Sequence, residues 1–217
     1  MKEYIYNIYP SMIDYSSSIR DKITIINIII EITRLLLVVD VVQFQEKDDI
    51  NKIELTVLVD KMSRIFINEN DKIHTFNYPF SIKEIDDKLS ININQYNIDS
   101  TICSVLKTIF YKLTETESLE ELLEKIWVTL DEYNIPMKDF DYIYKLVTYL
   151  FVFEPGYLRF DNDSVNQNGH MHPQNHIDFN YSNNVTFKIG LESSLLKEEF
   201  IDLININTSC AYITIKE

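Results

Sequence analysis

Two spacings of apolar residues divide the chain. Up to Phe153 the clearest apolar positions recur every three or four residues, the repeat that places side chains on one face of a helix. Ile25, Ile28, Ile29, Ile32, Leu35 and Leu36 form one such stripe, with Ser16, Ser17 and Ser18 before it as candidate caps. Residues 100–113 read as a second helix. A third starts at Ser118-Leu119-Glu120-Glu121, a capping box in which the serine and Glu121 satisfy each other's backbone amides. Its stripe is Leu119, Leu122, Leu123, Ile126, Trp127 and Leu130, and Asn134-Ile135-Pro136 ends it. Asp139 opens a fourth helix over 140–153, which Pro155 and Gly156 stop. Residues 50–67 fit a helix or a strand pair equally well. Residues 73–97 read as irregular, turning at Asn77-Tyr78-Pro79.

After Gly156 the pattern switches to strict alternation. Residues 157–161, 176–181 and 185–191 each alternate polar and apolar, with Asn183-Asn184 as the turn between the last two. An amphipathic helix follows over 194–206, and residues 210–215 read as a final strand. The three glycines of the chain, Gly156, Gly169 and Gly190, all fall in this later part. Glycine serves tight turns, so a long glycine-free stretch points to helices. The expectation is an α+β fold: a mostly helical region over 1–155, then a small antiparallel sheet of about three strands with a late helix over 156–217. The two parts would pack as one compact unit.

Charge narrows the partners. The 217 residues carry 34 acidic against 20 basic side chains, a formal charge of -14, with no Lys/Arg-rich run. Such a field repels phosphates, so the chain is expected to bind duplex DNA weakly or not at all by itself. A protein partner with a basic or nucleic-acid-binding surface fits better. Cys103 and Cys210 form no paired motif, which fits a reducing compartment. The greasiest window, 23–42, is interrupted by Asn27, Glu31, Arg34 and Asp40, so it reads as a buried element and not a membrane span. The N-terminal residues lack the continuous apolar core of a signal peptide. A cytoplasmic location is the expectation, and the abundance of Ile, Asn, Lys and Tyr points to an AT-rich bacterial coding sequence.

The candidate chemistry lies late in the chain. Three of the four histidines are His170, His172 and His176, and Asp178 follows them. In extended chain, residues two apart face one side. His176 and Asp178 therefore share a face, as do Arg159 and Asp161, and Lys188 lies opposite Phe187 and Ile189. If the three strands align their polar faces, Arg159, Asp161, His176, Asp178 and Lys188 converge, and Pro173 bends His172 back toward His176. Imidazole and carboxylate suit either a proton-transfer pair or a divalent metal, with His170, His172 and His176 as the candidate ligands. The structural reading of the same residues is a sheet-surface ion pair, worth roughly 0–1 kcal/mol, beside ordinary loop histidines. No phosphate-binding loop, dinucleotide fingerprint, H-E-x-x-H or nucleophile elbow occurs.

Leu158-Arg159-Phe160-Asp161, then His172-Pro173-Gln174-Asn175-His176, then Phe187-Lys188-Ile189, then Phe200-Ile201 resembles a bacterial domain-of-unknown-function family. Its members carry an L-R-[FY]-D, H-P-x-x-H, R-I-P order at similar spacing. Here Lys188 stands for the family's arginine and Gly190 for its proline, and lysine does not reproduce a bidentate guanidinium. The resemblance implies no established activity; it implies association with mobile-element and phage-defence genes. The leading expectation is an accessory interaction subunit of such an assembly. The alternative is a small hydrolase, a nuclease or RNase-type toxin using the His/Asp cluster. A third reading is an acidic immunity or antitoxin protein that masks a basic toxin.

Overall fold

The computed structural model describes residues 2–15, 18–38, 52–69, 71–86, 88–113 and 118–213. It contains ten strands and five α-helices among those residues, so the expectation of a mostly helical region before residue 155 is overturned. The strands are β1 (Lys2–Ile8), β2 (Ile53–Val59), β3 (Arg64–Glu69), β4 (Lys72–Asn77), β5 (Ser81–Ile85), β6 (Lys88–Ile93), β7 (Tyr96–Ile98), β8 (Leu158–Asn162), β9 (Asn175–Phe179) and β10 (Phe187–Leu191). The helices are α1 (Lys22–Val38), α2 (Ser100–Tyr111), α3 (Leu119–Glu132), α4 (Phe140–Val152) and α5 (Lys197–Ile204).

The stretch that fitted helix or strand is the strand pair β2–β3, and the stretch read as irregular holds β4 to β7. The glycine-free stretch turns tightly without glycine for a physical reason. Asp86 after β5 and Asn94 between β6 and β7 take the left-handed backbone, with φ of 50° and 51°, that a tight turn requires. Asn and Asp tolerate that region because their short side chains bond locally. Residues 210–213 are not strand, and 214–217 lie outside the described residues.

The chain divides into two compact units, each assembled from separated segments. The first gathers 1–8, 52–78 and 156–217. Its framework is a seven-stranded antiparallel sheet in the order β1-β2-β3-β4-β8-β9-β10. The three late strands expected from alternation are present, but as the last three of seven. Register places Leu58, Phe66, Ile73, Phe160 and Ile177 on one face, where Phe200 of α5 seals them into a core. Phe200 is fully buried and meets Phe66 and Phe160 at ring-centroid distances of 6.5 and 6.3 Å. Lys197 reaches Glu54 of β2 at 2.7 Å, which fixes the start of the helix.

The second unit gathers 9–51 and 79–155. It combines α1 to α4 with the small sheet β5-β6-β7. Helix α1 buries most of its surface, Ile25, Ile26, Ile28, Ile29, Ile30 and Ile32 together with Glu31 and Thr33. Its cap is Asp21, whose carboxylate accepts from the Thr24 amide at 2.7 Å; of the expected serine caps, Ser16 and Ser17 lie outside the described residues. Glu31 is 2% exposed and is neutralised by Arg34 and Lys107. Among the described residues, no helix is long and apolar enough to cross a membrane. The Ser118 capping box of α3 forms as read from sequence. Only part of the α3 stripe turns inward: Ile126 and Leu130 are buried, whereas Leu119 and Trp127 are exposed.

Candidate functional site

The pairing of β8, β9 and β10 builds the site. Arg159 lies opposite Asp178, and Asp178 opposite Lys188; one row along, Asp161 lies opposite His176 and His176 opposite Gly190. Partners across an antiparallel ladder share a face, so all five polar side chains meet on the face away from α5. Arg159 Nε donates to both oxygens of Asp161 at 2.8 and 2.9 Å, and its Nη2 donates to Asp161 and Asp178. Lys188 Nζ donates to Asp178 Oδ1 at 2.7 Å and to His176 Nε2 at 2.9 Å. Two cations thus balance two carboxylates.

This face is not the open polar surface that alternation implies. Arg159, Asp161, His176 and Asp178 are all buried, and His176 is fully so. The lysine side chain, 31% exposed, is the one member that reaches water. A surface ion pair is therefore the wrong description. Burial alone would lower the Arg159 pKa, but the hydrogen bonds and charge of Asp161 raise it well above the usual guanidinium range. Arg159 is the fixed charge around which the rest is arranged.

Backbone geometry sets the state of His176. The Pro173 carbonyl lies 2.8 Å from Nδ1 and can only accept, so Nδ1 carries a proton. An ammonium can only donate, so Nε2 presents its lone pair to Lys188. Nε2 also stands 3.4 Å from Asp161 Oδ2 and 3.9 Å from Asp178 Oδ1. Gly190 makes this possible: a Cβ there would lie 2.7 Å from Pro173 Cγ, inside contact distance. The glycine lets Pro173 close over the strand and aim its carbonyl at the imidazole.

The remaining expected residues divide. His172 returns toward His176, with ring centroids 4.9 Å apart and planes at 82°. Its Nε2 is 3.5 Å from Asp163, whose carboxyl is pulled down to about 2 mainly by the side chain and amide of Asn166. His170 is exposed and does not join the cluster. The three histidines therefore do not form one ligand set. Instead Asp161, His176 and Asp178 offer ligand atoms that all lie within 4.8 Å of one another.

Two further buried groups left no mark in the sequence: His74 beside the cluster, and Arg64 on the opposite face of the sheet. His74, fully buried on β4, lies opposite Arg159, and its Nδ1 is 3.0 Å from the Tyr157 hydroxyl. Arg64 on β3 donates to Thr75, Asn77 and the Gly156 carbonyl. The His74–Tyr157 and Arg64–Gly156 contacts join residues more than eighty positions apart, and local spacing carries no trace of them. Comparison with known proteins finds no match among family models, curated proteins or solved structures.

Proposed function

We propose that this chain is an accessory interaction subunit of a bacterial phage-defence or mobile-element assembly, and that it docks a basic protein partner on its acidic helical unit. One observation carries the reading: the outward face of α3. Glu120, Glu124, Trp127 and Asp131 follow helical spacing and are all exposed, and Val128 adjoins them. The helix holds five acidic residues, Glu120, Glu121, Glu124, Asp131 and Glu132, against Lys125. Trp127 is 53% exposed and leans on Phe140, with ring centroids 6.1 Å apart. Folding gains little from leaving an indole in water, whereas exposed tryptophan is the side chain most enriched at binding hot spots.

The surroundings select the partner's chemistry. A guanidinium stacks on an indole face while its edges bond carboxylates. A partner helix or loop bearing arginine beside apolar residues therefore complements this surface. The His/Asp cluster favours this reading over the hydrolase: its buried groups are bonded to one another, and the partly exposed lysine stands over the imidazole nitrogen that would abstract a proton.

The test is affinity purification from the native host with quantitative mass spectrometry, using the full chain and a Trp127→Ala/Glu124→Lys variant. The proposal expects a protein with a basic surface to be retained by the wild type. Loss of a hot spot of about 2 kcal/mol lowers affinity by roughly thirtyfold in the variant. A partner retained equally by both would refute the docking face. Should the captured protein be a toxin from an adjacent gene, the same surface would serve as an immunity protein.

A further inference from the structure

We propose that Asp161, His176 and Asp178 form a binding site for a divalent transition-metal ion, with the Lys188 ammonium occupying the cation position when the metal is absent. This goes beyond the docking function and concerns the other unit.

Spacing is the first argument. Two ligands at about 2.0–2.2 Å from a common ion, separated by tetrahedral to wider angles, stand about 3.3–4 Å apart. The imidazole Nε2 lies 3.4 Å from the Asp161 oxygen and 3.9 Å from the Asp178 oxygen. The three donors are held at ligand distances by the sheet register itself, since they come from adjacent positions of β8 and β9.

The surroundings of the ligands are the second argument. A metal-binding histidine characteristically donates its other ring N–H to a carbonyl or carboxylate, which fixes the tautomer and frees the lone pair. The Pro173 carbonyl does this for His176 at 2.8 Å. Ligating carboxylates are in turn held by hydrogen bonds, and Arg159 holds both Asp161 and Asp178. These supports hold His176 Nε2 and one carboxylate oxygen of each aspartate within 4.8 Å of one another.

A cation already meets two of these three donors. Lys188 Nζ sits within 2.9 Å of His176 Nε2 and 2.7 Å of Asp178 Oδ1. A neutral imidazole is an unusual partner for an ammonium, but it is an ordinary ligand for zinc or manganese. The lysine side chain is 31% exposed and belongs to β10, the last strand of the sheet, so it can swing into water. With the ammonium withdrawn, two carboxylates and one guanidinium leave a net negative charge, which a dication offsets. One nitrogen and two carboxylate ligands suit Zn²⁺, Mn²⁺ or Fe²⁺ over the all-oxygen ions.

The experiment is calorimetric titration of the chelator-stripped full chain with Zn²⁺ and Mn²⁺, with folding checked by circular dichroism. The expected result is one equivalent bound by the wild type. A Lys188→Met variant, freed of the competing ammonium, should bind more than about tenfold tighter. Asp178→Asn should abolish binding, while His170→Ala/His172→Ala should preserve it. If Asp178→Asn fails to fold, the gain in Lys188→Met decides. No binding by the wild type and Lys188→Met alike would overturn the proposal. So would binding that survives Asp178→Asn but disappears in the double histidine variant, which would place the metal on the loop.

Discussion

Arg159 carries the largest single-residue consequence. It neutralises two buried carboxylates, so Arg159→Met strands both Asp161 and Asp178 without their guanidinium. Breaking a buried charged network from one side costs about 3–5 kcal/mol. Urea denaturation should show that loss, and a markedly smaller one for Lys188→Met, whose ammonium keeps partial contact with water. Equal losses would mean that the five groups do not share one buried centre. A second residue-scale prediction concerns pH. Burial pushes the phenols of Tyr6 and Tyr157 up to about 12, against opposition from Arg159 in the second case. The folded state therefore favours the protonated phenol, and this stabilisation is complete below the unfolded value of about 10 and lost as pH rises through 12. Ultraviolet titration should show these tyrosines ionising late, together with unfolding. At this scale the sequence was informative: two-residue parity correctly grouped Arg159 with Asp161 and His176 with Asp178. Parity cannot report burial, because burial of this face depends on how a loop such as that of Pro173 closes over it.

At the scale of elements, α5 is the piece that closes the first unit. Eight residues are too few to hold a helix in water by themselves. Its stability comes from Phe200, buried between Phe66 and Phe160, and from the Lys197–Glu54 pair. Phe200→Ala should therefore cost about 3–5 kcal/mol, with loss of helix signal from α5, read by amide exchange. A cost below about 1 kcal/mol would show that the helix is an appendage. Elements with strong local signals were legible: the Ser118 box, the stop at Pro136, and the β9–β10 hairpin. Strands β4 to β7 were not. Their turns use Asp86 and Asn94 in place of glycine, and buried Thr75 and His74 break the apolar alternation of β4. Local pattern thus recorded the elements that terminate sharply and missed strands whose turns lack glycine or whose buried faces carry polar residues.

At the scale of the molecule, the fold interleaves its units: the chain leaves the first after β1, returns for β2 to β4, and returns again at Gly156. The composition shift at the first glycine is real, but it marks a return to an existing sheet and not the start of a separate one. The two proposals fall on different units, with α3 in one and the His176 cluster in the other, so they can be tested independently. The net charge of -14 steers encounter toward basic surfaces and away from phosphates, and α3 is where that charge meets exposed apolar side chains. The most direct measurement is amide hydrogen exchange across the full chain, free and bound to the captured partner. The account predicts new protection along 118–133, with the 172–191 hairpin unchanged. Protection confined to the hairpin, with α3 exchanging as in the free protein, would contradict it.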